Sequence, residues 1–290
     1  MLQQTRVNAV LEHYRRFLRR FPDVRALARA RQSSVLAAWS GLGYYRRARA
    51  LHAAARRLVR DFDGGFPRTA EAMRTLPGIG RYTAAAVSSI AFGEPQAVVD
   101  GNVERVLERL VGRHLPAAQA WELAAQLLDR AHPGDFNQAM MELGATVCLP
   151  REPRCDRCPV ARWCRSRGAL AGAAAPPRRR ARIAYRLALQ DGAVLLRRRP
   201  AGASLMPGMW ELPAARPPRS SATSAVLRLR HSITSTDYQV TVLRSGRGAA
   251  GGARWVPRSR LPRLPLTGLA RKILQRSGLL RNPMNRKRRS

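Results

Sequence analysis

Carboxylates are scarce in this chain. Its 290 residues include 18 Asp and Glu against 53 Lys and Arg, a formal net charge of +35 at neutral pH. A field of that sign repels cationic partners and attracts polyanions. Phosphate neutralisation with counterion release makes nucleic acid the leading ligand class. Lysine is nearly missing as well, with Lys272 and Lys287 the only two. No run is long and apolar enough to span a bilayer, and the opening MLQQTRVNAV has no apolar signal-peptide core, so no membrane partner is expected. Cysteine is absent outside residues 148–164, where all four lie. That clustering argues against a disulfide framework and for a metal site in a reducing cytoplasm.

What is present falls into two periodicities. Hydrophobic residues make up 45% of the chain, enough for two domains with cores of their own. Residues 1–147 read as mostly helix. Val7, Leu11, Tyr14 and Leu18 recur at helical spacing, with arginines on other faces. Ser33 or Ser34 can cap a short helix through Trp39, and a helix fits 44–62. Thr69 starts a short helix that stops at Pro77-Gly78, and further helices fit 81–92, 102–112, 117–131 and 135–146. The Ala, Pro and Arg stretch at 166–181 has no period and reads as a linker. Beyond it the period becomes two, at Ile183, Tyr185, Leu187 and Leu189 and again at Tyr238, Val240 and Val242. A helix near 266–276 and a basic tail at 277–290 complete the chain. The expected organisation is therefore a helical domain at 1–165, the linker, and a smaller strand-rich domain at 182–276.

Three motifs carry chemistry. LPGIGRYTAAAV at 76–87 is two helices joined by a Pro-Gly-x-Gly turn, a helix-hairpin-helix in which Gly78 and Gly80 let backbone approach a phosphate. Cys148, Cys155, Cys158 and Cys164 lie close enough in sequence to hold an iron-sulfur cluster or a zinc ion, and spacing alone does not choose between them. Asp100, in AVVDGNVERV, stands where an apolar run meets a helix. It can be an ordinary N-cap or a fixed negative charge facing a substrate.

Taken together, the hairpin, VVDGNVERV, FNQAMMELGATVC and the cysteine spacing resemble the endonuclease III superfamily of DNA glycosylases. MLQQTRV, GLGYYRRARALH and FNQAMMELG are similar to the adenine DNA glycosylases of the MutY type. The match is dense over residues 1 to about 165. It continues weakly in ASLMPGMWELP and LPLTGLARKIL, which look like segments of that family's Nudix-like domain. The resemblance implies a mostly α helix-hairpin-helix glycosylase domain with an iron-sulfur cluster loop, plus a smaller α+β Nudix-like C-terminal domain that reads 8-oxoguanine. It implies a 4Fe-4S cluster on the four cysteines, with zinc as the alternative. The partner it implies is double-stranded DNA containing an adenine mispair, bound by a monomer in a bacterial cytoplasm, at the nucleoid.

Site residues follow from the same resemblance. Asp100 would stabilise positive charge on the deoxyribose as adenine leaves, with Asn102 as helper. Tyr82 stands where bifunctional relatives carry a Schiff-base lysine, so a lyase route is not expected. Gln4 would fill the gap left by a flipped base, Tyr44 would stack near the lesion, Gln138 would contact the adenine, and Leu2 would line its pocket. Two departures stand out. The family's general-acid Glu precedes the MLQQT segment, and Met1 is the first residue of that segment here. The expectation is an N-terminally truncated chain, from a gene start placed too late, with apolar surface exposed. In the segment that reads 8-oxoguanine, this chain has Ile233, Thr234 and Ser235, where only the Thr234 hydroxyl suits the role. After Arg165 the acids are Asp191, Glu211 and Asp237, too few for the magnesium cluster of a Nudix hydrolase. The expected activity is hydrolysis of the N-glycosidic bond of adenine opposite 8-oxoguanine or guanine, leaving an abasic site. The alternatives are a non-catalytic lesion-binding protein and an endonuclease III-like glycosylase/lyase.

Overall fold

In a computed structural model, the described residues are 1, 7–168, 170, 178–216, 225–233, 235–245 and 252–280. Leu2, Gln4, Thr234, half of the expected linker and the tail from 281 lie outside them. The chain divides into two units. One joins Met1–His52 to Pro176–Ser290, and the other is Ala53–Ala175.

The first unit opens with helix α1 (Val7–Arg20). Its spacing is helical as expected, but the stripe of Leu11, Tyr14 and Leu18 is 49%, 51% and 42% exposed. The inward face is the adjacent one, carrying Val10 and Phe17. Phe17 meets Phe21 edge-on at 4.9 Å and Trp39 at 6.1 Å. Two large rings there bury more apolar area than the Leu stripe can. A short helix that sequence spacing did not show, α2 (Val24–Arg29), is capped by Asp23, whose Oδ1 accepts the Ala26 amide at 2.6 Å. Helix α3 (Gln32–Trp39) follows, with Arg31 at its N-cap. Ser33 and Ser34 are therefore inside the first turn and cap nothing. Helix α4 (Tyr45–Asp61) contributes residues to both units.

The rest of the first unit is built on strands. β1 (Arg179–Leu187) begins three residues before the expected linker ends. It runs parallel to β7 (Thr236–Arg244), pairing Ile183 with Val240 and Tyr185 with Val242. β6 (Ala225–Ile233) is antiparallel to β7, and β5 (Ala214–Ala215) borders β1, giving the order β5-β1-β7-β6. A second sheet holds β2 (Leu189–Gln190), β3 (Ala193–Arg198) and β4 (Trp210–Glu211), with β8 (Ala253–Pro257) also on β3. Helix α10 (Gly268–Arg276) buries Leu269, Ala270, Ile273 and Leu274 in the core formed with Leu196, Leu212 and Val242. Leu280, placed by sequence in the tail, is buried in the same core, and Leu279 packs against it. The sequence segmentation kept residues 1–52 with the helices that follow. The structure groups them with the sheets because Ser40 and Tyr45 bond to Leu266.

The second unit holds the motifs. α5 (Ala70–Arg74) starts at Thr69, whose Oγ1 accepts the Ala72 amide, and packs Ala70 and Met73 on Ala84 of α6 (Arg81–Phe92). α7 (Gly101–Val111) buries Val103 and Leu107 with Ala120 and Ala124 of α8 (Ala117–Leu127). α8 stops four residues short of the expected end, and α9 (Pro133–Thr146) closes the helical part.

Candidate active site

The segment leading into α7 is held from below. Asn137 on α9 is buried; its Oδ1 accepts the Val98 amide at 3.0 Å and its Nδ2 donates to the Gln96 carbonyl and Ser89 Oγ at 2.8 and 2.9 Å. That fixes the approach of Asp100, whose backbone is extended (φ −108°, ψ 179°). Its Oδ1 accepts the amides of Asn102 and Val103, both at 2.8 Å, so the capping role is real. Oδ2 accepts one longer bond, from Asn102 Nδ2 at 3.3 Å. A side chain on Gly101, the next residue, would meet nothing within 4 Å, so the helix start is open at that position. Tyr82, at the second position of α6, belongs to the same neighbourhood. Burial first, and then the charge of Asp100, push its phenol above the usual range. Its hydroxyl lies 3.6 Å from Met141 Sδ. The structure thus brings together Asp100, Asn102 and Tyr82: a fixed carboxylate beside a protonated phenol, with no amine.

Arg105 is the residue that sequence reading missed. Its Nη2 donates to Asn102 Oδ1 at 2.9 Å and to the Gly144 carbonyl at 2.6 Å, and its Nε donates to the Cys148 carbonyl at 2.9 Å. Asn102, Arg105 and Arg109 recur at i, i+3 and i+7, a polar stripe on α7 that could have flagged it. Gly144 is the second omission. A Cβ there would lie 2.6 Å from Asn102 Cβ and 2.8 Å from its carbonyl oxygen, so glycine is what allows α9 to cross the start of α7.

The four cysteines line one concave site, partly open to solvent, with Arg109 in its wall. Arg109 is buried. It donates to Cys148 Sγ at 3.2 Å and to the carbonyls of Leu149 and Pro150 at 2.8 and 2.9 Å. Its own carbonyl accepts Ser166 Oγ at 2.9 Å, so both ends of the cysteine segment are tied to α7. Burial, and then the thiols of Cys164, Cys158 and Cys148, push the Cys155 thiol up, with Arg109 opposing the shift. Among the described residues no three His, Cys, Asp or Glu side chains converge at the spacing of a single ion. The donor set is four soft sulfurs, which suits an iron-sulfur cluster or a thiolate-bound zinc.

The remaining expected site residues are more dispersed. Gly78 takes φ +78° in the Pro-Gly turn, and Gly80 is the N-cap of α6 with no side chain to occupy the helix start. Gln138 is exposed on α9, its Nε2 donating to the Gly134 carbonyl at 3.2 Å. Tyr44 belongs to the first unit, 52% exposed, with the Arg47 guanidinium 5.4 Å from its ring centre.

Comparison with known proteins points one way. The family described as "HhH-GPD superfamily base excision DNA repair protein" matches residues 1–128. The chain is 51% identical over 174 residues to the adenine DNA glycosylase of Homo sapiens, covering 58% of this chain and 32% of that protein. It is 38% identical over 170 residues to the adenine DNA glycosylase of Buchnera aphidicola subsp. Baizongia pistaciae, covering 57% and 48%. The chain therefore spans about a third to a half of the length of these relatives. Among solved structures, a thermostable thymine-DNA glycosylase superposes with a TM-score of 0.54 at 32% identity, over 57% of this chain and 79% of that one. A trapped endonuclease III–DNA covalent intermediate shares the fold, with a TM-score of 0.52 at 24% identity, over 57% and 79%.

Proposed function

We propose, on the premise that residues 1–128 match the HhH-GPD superfamily of base excision DNA repair proteins, that this chain is an adenine DNA glycosylase acting on adenine opposite 8-oxoguanine or guanine. The observation that carries the reading is the Asp100 carboxylate. One oxygen is pinned by two amides and the other accepts one longer bond, with an open helix start at Gly101 next to it and the Tyr82 phenol nearby. When the C1′–N9 bond of a flipped deoxyadenosine breaks, its electron pair leaves with the base and positive charge builds on the sugar. A preorganised carboxylate stabilises that charge with no reorganisation at the moment of reaction. Water then adds to C1′ and gives up a proton, matching the one the departing adenine takes up, and an abasic site remains.

The hairpin supports the DNA-binding half of the proposal. The amide end of α6, uncapped by any side chain at Gly80, suits a backbone phosphate. Arg151, Arg154, Arg157, Arg162 and Arg165 make the cysteine segment a basic surface. The strand-rich part would be a Nudix-like reader of the opposite base and not a hydrolase. Glu211 is buried between Arg197 and Arg199 at 2.9 and 2.7 Å, and Asp237 accepts from Ser232 Oγ at 2.6 Å and Arg178 at 2.9 Å.

Cys148, Cys155, Cys158 and Cys164 would hold a 4Fe-4S cluster, which when bound cross-links and stiffens the loop. The purified chain is then expected to be brown, with about four iron atoms per molecule. A colourless protein with one zinc would overturn that assignment. The activity is tested with a duplex containing adenine opposite 8-oxoguanine. Free adenine should accumulate, and the strand should break only after alkali. Strand breakage without alkali would favour a glycosylase/lyase. Tight binding with no free adenine would favour a lesion-binding protein.

A further inference from the structure

Tyr44 has a left-handed backbone (φ +46°) and an exposed ring. For a bulky residue that conformation is strained, and it persists when the surroundings over-determine it. The surroundings are unusual. Gly41 (φ +111°) and Gly43 (φ +70°) make the turn, and Trp39 Nε1 donates to the Gly43 carbonyl at 3.1 Å. On the near side Ser40 is buried; its Oγ donates to the Leu266 carbonyl at 3.1 Å and accepts from Arg271 Nε at 2.9 Å. On the far side Tyr45 is buried, and its hydroxyl donates to the same Leu266 carbonyl at 3.0 Å. Both residues flanking the turn thus end on one acceptor more than 220 residues away. Farther along α4, Arg49 donates to the Pro207 carbonyl.

The acceptor is itself immobilised. The Leu266 side chain is fully buried in the core of the sheets. Its neighbours bracket Trp210 of β4: the Trp210 amide donates to Pro265 at 2.8 Å and the Thr267 amide to the Trp210 carbonyl at 2.9 Å. Arg271 is largely buried, and burial is the main cause holding its pKa below the usual arginine range. The cost of that burial is offset where Ser40 Oγ accepts a hydrogen bond from Arg271 Nε.

We propose that the Leu266 carbonyl and Arg271 of the C-terminal sheet domain form a clamp that positions Tyr44 for stacking on duplex DNA. The proposal rests on the reading of Tyr44 as a DNA contact. Bound DNA would then meet a turn whose shape is set by the domain that reads the opposite base. Tyr44 is the contacting residue, while Ser40, Tyr45 and Arg271 are positioning residues.

A double-mutant cycle on the full chain tests it, using fluorescence anisotropy with a labelled adenine:8-oxoguanine duplex. Tyr44→Ala should weaken binding about tenfold or more, the range of a lost stacking contact. Tyr45→Phe, which removes one hydroxyl and leaves the ring, should weaken binding about 3- to 10-fold in the presence of Tyr44. In the Tyr44→Ala background it should change binding less than about twofold, because a positioning group has nothing left to position. Arg271→Lys should repeat that pattern, keeping the charge and losing the Nε donor. Equal losses in both backgrounds, or no loss on Tyr45→Phe, would overturn the clamp. Unchanged binding by Tyr44→Ala alone would overturn the stacking assignment itself, a separate failure.

Discussion

Asp100→Asn is expected to slow adenine release by about 10²–10³ while leaving stability within a few tenths of a kcal/mol. The first figure is the scale for removing one preorganised electrostatic partner from a charged transition state. The second follows from helix capping, in which Asn serves about as well as Asp. The side-chain oxygen that accepts the Asn102 and Val103 amides is retained; the charge is lost, along with the longer bond from Asn102 Nδ2. Asp100→Ala separates the roles further, since it removes the cap and should cost about 1 kcal/mol of stability in addition. Single-turnover release and urea unfolding on the same preparations check both. If Asp100→Asn released adenine at the original rate, the carboxylate would be a cap and nothing more.

Gly144→Ala should reverse the usual sign of such a change. In a helix interior Ala is ordinarily favoured over Gly by about 1 kcal/mol. Here the added methyl would lie 2.6 Å from Asn102 Cβ and 2.8 Å from the Asn102 carbonyl oxygen, and the second of these is backbone that cannot rotate away. α7 and α9 must separate, at a net cost of about 1–3 kcal/mol. The damage should be functional too. Asn102 is the donor to Asp100 Oδ2, and Arg105 spans Asn102 and the Gly144 carbonyl. Adenine release should therefore fall along with the denaturation midpoint. A stabilised, fully active Gly144→Ala protein would mean the helices do not cross where the structure places them.

Local signals were legible in the sequence, and distant partners were not. Helix α6 starts and stops where its glycines say, and Asp100 and Thr69 cap the helices they precede. These depend on neighbours within four residues. The inward face of α1 was misleading, because Leu11, Tyr14 and Leu18 form as regular a stripe as Val10 and Phe17. The choice between them is made by Trp39, a residue of another helix. Ser33 and Ser34 have good capping chemistry, but the chain turns into α3 one residue too early for either. The cysteine spacing marked a metal site. Arg109, which ties both ends of that segment to α7, is one arginine among very many in the sequence and shows its role only through contacts about 40 and 57 residues away. The grouping of residues 1–52 with the strands was invisible for the same reason.

The two guanidiniums on Glu211 have a longer consequence. A hydrolase that works on pyrophosphates with magnesium needs several carboxylates free to face the ion. This domain has few acids, one of them is locked in a buried ion pair, and another is committed to a hairpin. Adding a single Glu would not rebuild such a centre, since the existing buried acid would first have to be freed from two arginines. Ancestral nucleotide chemistry, if the scaffold ever had it, is therefore hard to regain by stepwise mutation. On the proposed reading, the domain is left free to diversify as a surface that reads the base opposite adenine.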